Sequence, residues 1–247
     1  MTKDRIFNNK ETTQGSFEFD DSVAAVFPDM LRRSIPGYTA SIDAIAALAR
    51  RHVQPGTRCY DLGCSLGAAT LAMRRGIVAA DSEIVAVDLA PAMVSRCREI
   101  VDDDSGTVPV SVMEADIRDV PITNASMVVM NYTLQFLPLE SREPLIRQIR
   151  EGLVDGGILV LSEKVAHSDR EIDELMIELY HDFKRSNDYS ELEIARKRTA
   201  LENVLVPETV EDHLCRLNDA GFSHCDVWMK HLNLCPVSYT HLTLPTM

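Results

Sequence analysis

Nothing in this chain is spaced like a metal site or a disulfide framework. Its six cysteines, Cys59, Cys64, Cys97, Cys215, Cys225 and Cys235, form no C-x-x-C pair, and thiols scattered in this way fit a reducing compartment, with no metal expected. Positive charge is scarce: 25 Lys and Arg face 38 Asp and Glu, a formal net charge of -13. Affinity for nucleic acid comes mainly from cations on phosphates, so this balance argues against a direct nucleic-acid partner. The only dense basic run is Arg196-Lys197-Arg198. Long apolar runs are also missing. The opening Met-Thr-Lys-Asp-Arg is charged, no signal peptide is read there, and no stretch is apolar enough to span a bilayer. A cytoplasmic protein without a membrane partner is expected. What is present is ordinary for a globular chain: 247 residues, 45% hydrophobic and 26% charged, enough to bury a core in one α/β domain.

The polar, aperiodic stretch 1–15 reads as a flexible arm. Ser22 to Ile35 sets Val23, Val26, Phe27, Met30 and Leu31 at helical spacing, with Pro28 as an early kink or first-turn residue. Ser41 to His52 repeats the pattern. After Pro55-Gly56 the period changes. Strands are expected over Arg58–Leu62, Ile84–Val87, Val108–Met113, Met127–Met130 and Ile158–Ser162, alternating with helices from Ala68, over Pro91–Val101 and over Glu140–Leu153. Such alternation implies a mostly parallel sheet with right-handed crossovers and helices on both faces, where ligands sit at the carboxyl ends of the strands near the reversal of strand order.

Between Ser168 and Val210 the alternation pauses for a helical insertion, about 168–210, with helices over Ile172–Arg185 and Glu191–Val204. It gathers Tyr180, His181, Asp182, Lys184, Arg185, Tyr189, Arg196 and Arg198, and suits a lid or a dimer surface. Glu208–Ala220 resumes helix, capped by Gly221, and Asp226–Leu234 reads as a strand carrying Trp228. The expected organisation is a single domain over 16–235 followed by an atypical tail, 236–247. Pro236 and Pro245 each remove a ladder donor, so the tail reads as a sequence artefact that forms no proper closing strand.

The loop Asp61-Leu62-Gly63-Cys64-Ser65-Leu66-Gly67 joins the first strand to its helix. Small residues there let the backbone approach a ligand, and the helix amides point at it. An ordinary tight turn looks the same in isolation, but Asp88 closes the next strand at the interval where a carboxylate accepts both hydroxyls of a ribose. The loop resembles the D-x-G-x-G-x-G motif of class I S-adenosylmethionine methyltransferase folds, which are Rossmann-like. Ser65 stands at the usual middle glycine and is accommodated there by a negative φ. Asp116-Ile117 and Asn131-Tyr132 follow the third and fourth strands, where that fold recognises adenine and lines the reaction face. By itself Asp116 reads equally well as a helix cap.

Longer strings narrow the resemblance. Val26-Phe27-Pro28-Asp29-Met30, Ser34-Ile35-Pro36-Gly37-Tyr38, the loop from Tyr60 to Thr70, Tyr132-Thr133-Leu134-Gln135-Phe136-Leu137, Leu161-Ser162-Glu163-Lys164, His181-Asp182-Phe183-Lys184-Arg185 and Tyr189-Ser190-Glu191-Leu192-Glu193-Ile194 all resemble the carboxy-S-adenosylmethionine synthase family. The likeness runs from about Phe17 to about Leu234, and Ser65 is shared with that family. It implies conversion of S-adenosylmethionine and prephenate to carboxy-S-adenosylmethionine and phenylpyruvate, by a homodimer, for a separate enzyme that modifies a tRNA wobble uridine. By motif, Tyr38, Gly63, Cys64, Ser65, Asp88, Leu89, Asp116, Ile117, Asn131 and Arg198 form the S-adenosylmethionine site. Arg198 is expected to be the catalytic residue, since a guanidinium is shaped to hold the added carboxylate by paired hydrogen bonds. The alternatives are an ordinary small-molecule methyltransferase and a module that binds S-adenosylmethionine without turnover.

Overall fold

Residue parity along the strands decides the layers. In a strand successive side chains point to opposite faces, and here both faces are apolar. Met127, Val129, Ile158 and Val160 face one side with Cys59 and Ile84, while Val128, Met130, Leu159 and Leu161 face the other with Tyr60 and Leu62. A strand covered on both faces belongs to a parallel sheet sandwiched by helices. The computed structural model describes residues 4, 6, 18–201 and 204–240, the last five by backbone alone.

The strands are β1 (Arg58–Leu62), β2 (Glu83–Asp88), β3 (Val110–Glu114), β4 (Ala125–Asn131), β5 (Leu153–Ala166), β6 (Glu208–Thr209), β7 (His224–Val227) and β8 (Leu234–Thr240). Their order in the sheet is β3-β2-β1-β4-β5-β8-β7, with the two-residue β6 beside β5. Neighbours from β3 to β5 are parallel, and β8 runs antiparallel to both β5 and β7. The order reverses between β1 and β4, which opens a crevice at their carboxyl ends.

The helices are α1 (Asp21–Ser34), α2 (Tyr38–His52), α3 (Ala68–Gly76), α4 (Pro91–Asp103), α5 (Leu139–Gly152), α6 (Arg170–Ser186), α7 (Glu191–Leu201) and α8 (Val210–Asp219). α2 and α3 cover one face through Ile42, Ile45, Ala49, Ala69, Ala72 and Met73. α5 and α8 cover the other through Leu145, Ile146, Ile149 and Leu217. α1 lies across the sheet's carboxyl edge, packing Val23, Val26, Phe27 and Met30 on Leu66 and Met93. Its N-cap is Asp20, whose carboxylate accepts from the Val23 amide at 2.9 Å, as the short acidic side chains at N-caps do. The expected mostly parallel sheet, with helices on both faces and helices α6 and α7 inserted before the last strands, is the one observed.

Several local expectations are corrected. Pro28 sits inside α1, past its first turn. Asp4, in the stretch read as a flexible arm, is 1% exposed; its backbone amide donates to Asp29 at 2.9 Å, and its carboxylate accepts from the Tyr189 hydroxyl at 2.5 Å. The strand expected over Asp226–Leu234 is two strands, β7 and β8, and Trp228 lies between them, partly buried against the core. The closing strand that Pro236 was expected to prevent is present as β8, and the reason is parity. Val165 donates its backbone N–H to the Asn233 carbonyl, so residues 233, 235 and 237 face β5 and Pro236 faces the β7 side. Pairing with β7 begins only at Val237, opposite Val227, so Pro236 costs that ladder no bond. Residues 241–247, with Pro245, lie outside the described residues, as does the continuation of α7 expected through Glu202 and Asn203.

Candidate active site

A cavity of about 790 Å³ opens at the carboxyl ends of β1 to β5, beneath α1 and beside α6 and α7. That lies within the range of about 300–1,000 Å³ typical of small-molecule sites. Its floor is built from the segments following successive strands: Asp61, Gly63, Cys64 and Ser65; then Asp88 and Leu89; then Asp116 and Ile117; then Asn131, Tyr132 and Thr133.

The loop after β1 is held against β2 by hydrogen bonds to backbone and carboxylate. The Gly63 and Cys64 amides both donate to the Val87 carbonyl, at 2.8 and 2.9 Å. The Ser65 amide donates to Oδ2 of Asp88 at 2.8 Å, and the Ala90 amide donates to Oδ1 at 2.9 Å. Ser65 does this with φ +49, which corrects the negative φ expected for it. A left-handed residue with a Cβ is costly by about 1–3 kcal/mol, and the bond to Asp88 is what holds it there. Burial raises the Asp88 carboxyl above its ordinary range, against the amide bonds that pull it down. Gly63 has no alternative: its φ is +85, and a Cβ would lie 2.2 Å from Oγ1 of Thr133. Cys64 is buried, and its hydrogen bond with Cys97, followed by burial, raises its thiol far above the reactive range, so thiolate chemistry is not available to it.

Polar atoms without partners mark the crevice between β1 and β4. Asn131 Oδ1 and Asp61 Oδ1 are buried and unbonded, although buried polar atoms are nearly always paired. Asp61 Oδ2 accepts from the Thr70 hydroxyl at 2.6 Å, and burial lifts this carboxyl to about 6. Beyond β4 the chain turns sharply through Tyr132, at φ +62. The turn is fixed by Glu163, a fully buried residue whose carboxylate accepts the amides of Thr133, Leu134 and Gln135 at 3.2, 2.9 and 3.0 Å. Burial raises Glu163 to about 8, and those amides together with Arg142 oppose the rise. Asp116 accepts from the Arg118 amide and from its guanidinium, which lowers its pKa. It still lines the cavity rather than serving as a helix cap.

Of the residues singled out in the sequence, Tyr38, Gly63, Cys64, Ser65, Asp88, Leu89, Asp116, Ile117 and Asn131 all line this one cavity. Arg198 does not. It lies on the exposed face of α7, near enough to Lys164 and His181 to add a little to the lowering of their basicity, which burial causes first. The helical insertion instead presents Tyr180 and Lys197 to the cavity, opposite Lys164 from β5. Neither lysine was singled out for a site. Lys164 follows the same rule that picked out Asn131, being near the carboxyl end of a strand, and that was the available signal.

Residues 60–157 match the model of the family described as "Methyltransferase domain". The carboxy-S-adenosyl-L-methionine synthase of Escherichia coli (strain K12) is 51% identical over 231 residues, covering 94% of both chains. The enzyme of the same description from Yersinia pestis (strain Pestoides F) is 52% identical, covering 94% of this chain and 86% of the other. Among solved structures, human N-acetylserotonin methyltransferase in complex with SAM superposes with a TM-score of 0.61 at 15% identity, over 89% of this chain and 55% of that one. A cyclopropane synthase from Mycobacterium tuberculosis does so with 0.58 at 16%, over 82% of each. At those identities the structural likeness speaks for the fold alone. The sequence relatives go further, and by their identity along nearly its whole length this chain belongs to the carboxy-S-adenosyl-L-methionine synthase family.

Proposed function

We propose that this protein converts S-adenosylmethionine and prephenate to carboxy-S-adenosylmethionine and phenylpyruvate, and that the product serves a separate enzyme acting on a tRNA wobble uridine. The observation that carries this reading is the 51% identity over 94% of both chains to a carboxy-S-adenosyl-L-methionine synthase. The cavity supports it. The Asp88 carboxylate at the tip of β2 suits a ribose diol, Leu89 and Ile117 offer apolar surface to an adenine ring, and the unbonded oxygens of Asn131 and Asp61 await donors. S-adenosylmethionine carries such donors on its amino groups.

The sulfur's positive charge acidifies its methyl hydrogens. As prephenate aromatises it releases carbon dioxide and hydroxide; the hydroxide takes a methyl proton to become water, and the ylide carbon captures the carbon dioxide. Atoms and charge balance without a protein base, so the protein's task is to align the two molecules and exclude water. Arg198 receives the new carboxylate. On this reading Arg198, exposed on α7, serves the cavity of a second copy in a homodimer. Exposed Ile172, Leu175 and Leu179 on α6 and Leu192 on α7 form an apolar surface suited to that association. With its net charge of -13 the protein would work in the cytoplasm without touching RNA.

The test is mass spectrometry of labelled S-adenosylmethionine incubated with the protein. Gain of one carboxyl group only when prephenate is present is the expected result. A methylated acceptor, or no turnover, would overturn it. Arg198→Ala should abolish the carboxylated product while S-adenosylmethionine still binds, and undiminished product would remove Arg198 from the reaction.

A further inference from the structure

Three ammonium groups converge where the insertion meets the cavity. Lys164, on β5, lies 5.6 Å from the centre of the Tyr180 ring, and Lys184, on α6, lies 4.0 Å from it. Lys197, on α7, donates to the Ser34 hydroxyl at 2.9 Å. Lys184 and Lys197 are each 7% exposed, and Lys164, Tyr180 and Lys197 line the cavity. Among the described residues none of the three lysines forms an ion pair, although buried lysines are almost always paired. Ring faces and one hydroxyl are weak compensation for removing two cations from water and a third in part. A fold bears such a cost at a site whose ligand brings the missing charge. Asp61 and Asp88 line the same cavity from β1 and β2, two and three strands away from Lys164 on β5.

We propose that Lys164 and Lys197, with Lys184 behind the Tyr180 ring, form the subsite that holds the carboxylates of the second substrate, a small dicarboxylic acid. This rests on the reaction proposed above, and it gives the insertion a task distinct from that of Arg198. The acid enters as a dianion, and the lysines hold its carboxylates so that the departing one faces the sulfonium. Burial and mutual repulsion lower Lys184 to about 7, and burial lowers Lys197 to about 8. The charged groups facing them are Lys164 and Lys197 around Lys184, Asp173 and Arg198 around Lys164, and Asp4 and Arg33 around Lys197. The dianion therefore binds best with all three protonated, and its KM rises as pH rises through about 7 to 8.

The experiment is steady-state kinetics with prephenate at saturating S-adenosylmethionine, on wild type, Lys164→Gln, Lys164→Arg and Lys184→Met, with S-adenosylmethionine affinity measured by calorimetry. Lys164→Gln and Lys184→Met should raise the prephenate KM at least about tenfold, which corresponds to about 1.4 kcal/mol, and leave the S-adenosylmethionine Kd within about twofold. Lys164→Arg should recover much of the loss, and Lys184→Met should flatten the rise of KM with pH. Lys184→Met should also raise the thermal midpoint, because it replaces a buried unpaired cation with an apolar side chain. If the wild type makes the carboxylated product while neither variant's prephenate KM moves, the subsite is wrong and the reaction stands. If the wild type does not consume prephenate, the reaction fails and takes the subsite with it.

Discussion

Replacing Arg142 by leucine should unfasten the helical insertion from the catalytic loop. Arg142 is fully buried. Its Nε donates to the Leu137 carbonyl at 3.1 Å, and its Nη2 donates to the carbonyls of Gln135 and Val206 at 3.1 and 2.9 Å. Its Nη1 pairs with Glu208, which also pairs with Arg216. One side chain thus ties the loop after β4, which lines the cavity at Gln135 and Leu137, to the exit of the insertion at Val206 and Glu208. Removing one member of a buried ion pair costs about 3–5 kcal/mol, because the other charge is left behind. Glu208 keeps Arg216, and the Gln135 carbonyl keeps the Val206 amide at 3.0 Å, so a value toward the lower bound is expected. For a chain of this size each kcal/mol moves the melting midpoint by about 2–4 °C, so Arg142→Leu should melt at least about 6 °C lower. The assay is thermal and urea denaturation, with a double-mutant cycle against Glu208→Gln to isolate the pair. S-adenosylmethionine affinity should fall as well, since the loop loses its brace. A loss below about 1 kcal/mol, with affinity unchanged, would refute the assigned role.

Gly63→Ala should cost about 2–5 kcal/mol and weaken S-adenosylmethionine binding, because a methyl group at positive φ would strike the stiff, β-branched Thr133; equal melting and affinity would count against that geometry. Asp88→Asn should raise the S-adenosylmethionine Kd about tenfold or more by calorimetry, and an unaltered Kd would exclude the carboxylate from the ribose. His213, 2% exposed and held neutral by burial and then by Arg216, has its pKa lowered to about 4. The unfolded chain binds a proton on this ring near pH 6.5 and the folded one does not, so stability is full above about 6.5 and is lost as pH falls toward about 4. The shift corresponds to about 3 kcal/mol, and His213→Leu should flatten urea-derived stability over that interval.

The sequence makes legible whatever short-range pattern controls. The bounds of β1 and the start of α3 follow from the switch of period after Gly56, and Asp88 and Asn131 are found by their place at strand ends. The sense of φ at Ser65 is set by a carboxylate 23 positions away in the chain, which no local propensity encodes. β8 escaped notice because Pro236 is harmless only through the parity of its pairing, a tertiary fact. Lys164 and Lys197 read as surface residues by type, and only the packing of α6 and α7 over the crevice buries Lys197 and half-buries Lys164. Arg142, in the first turns of an amphipathic helix, carries no sign in sequence of its four partners.

The position of β8 also bears on how the molecule is made. It is the last described strand in chain order, yet it lies between β5 and β7. A nascent chain halted before residue 234 would have β7 with no neighbour to join and β5 with a bare edge along its central residues, so that half of the sheet cannot close during synthesis. Exposed edges of that kind recruit foreign strands. For this fold the perilous interval on the ribosome is the one before β8 emerges, when most of the core is already in place and its cover is not.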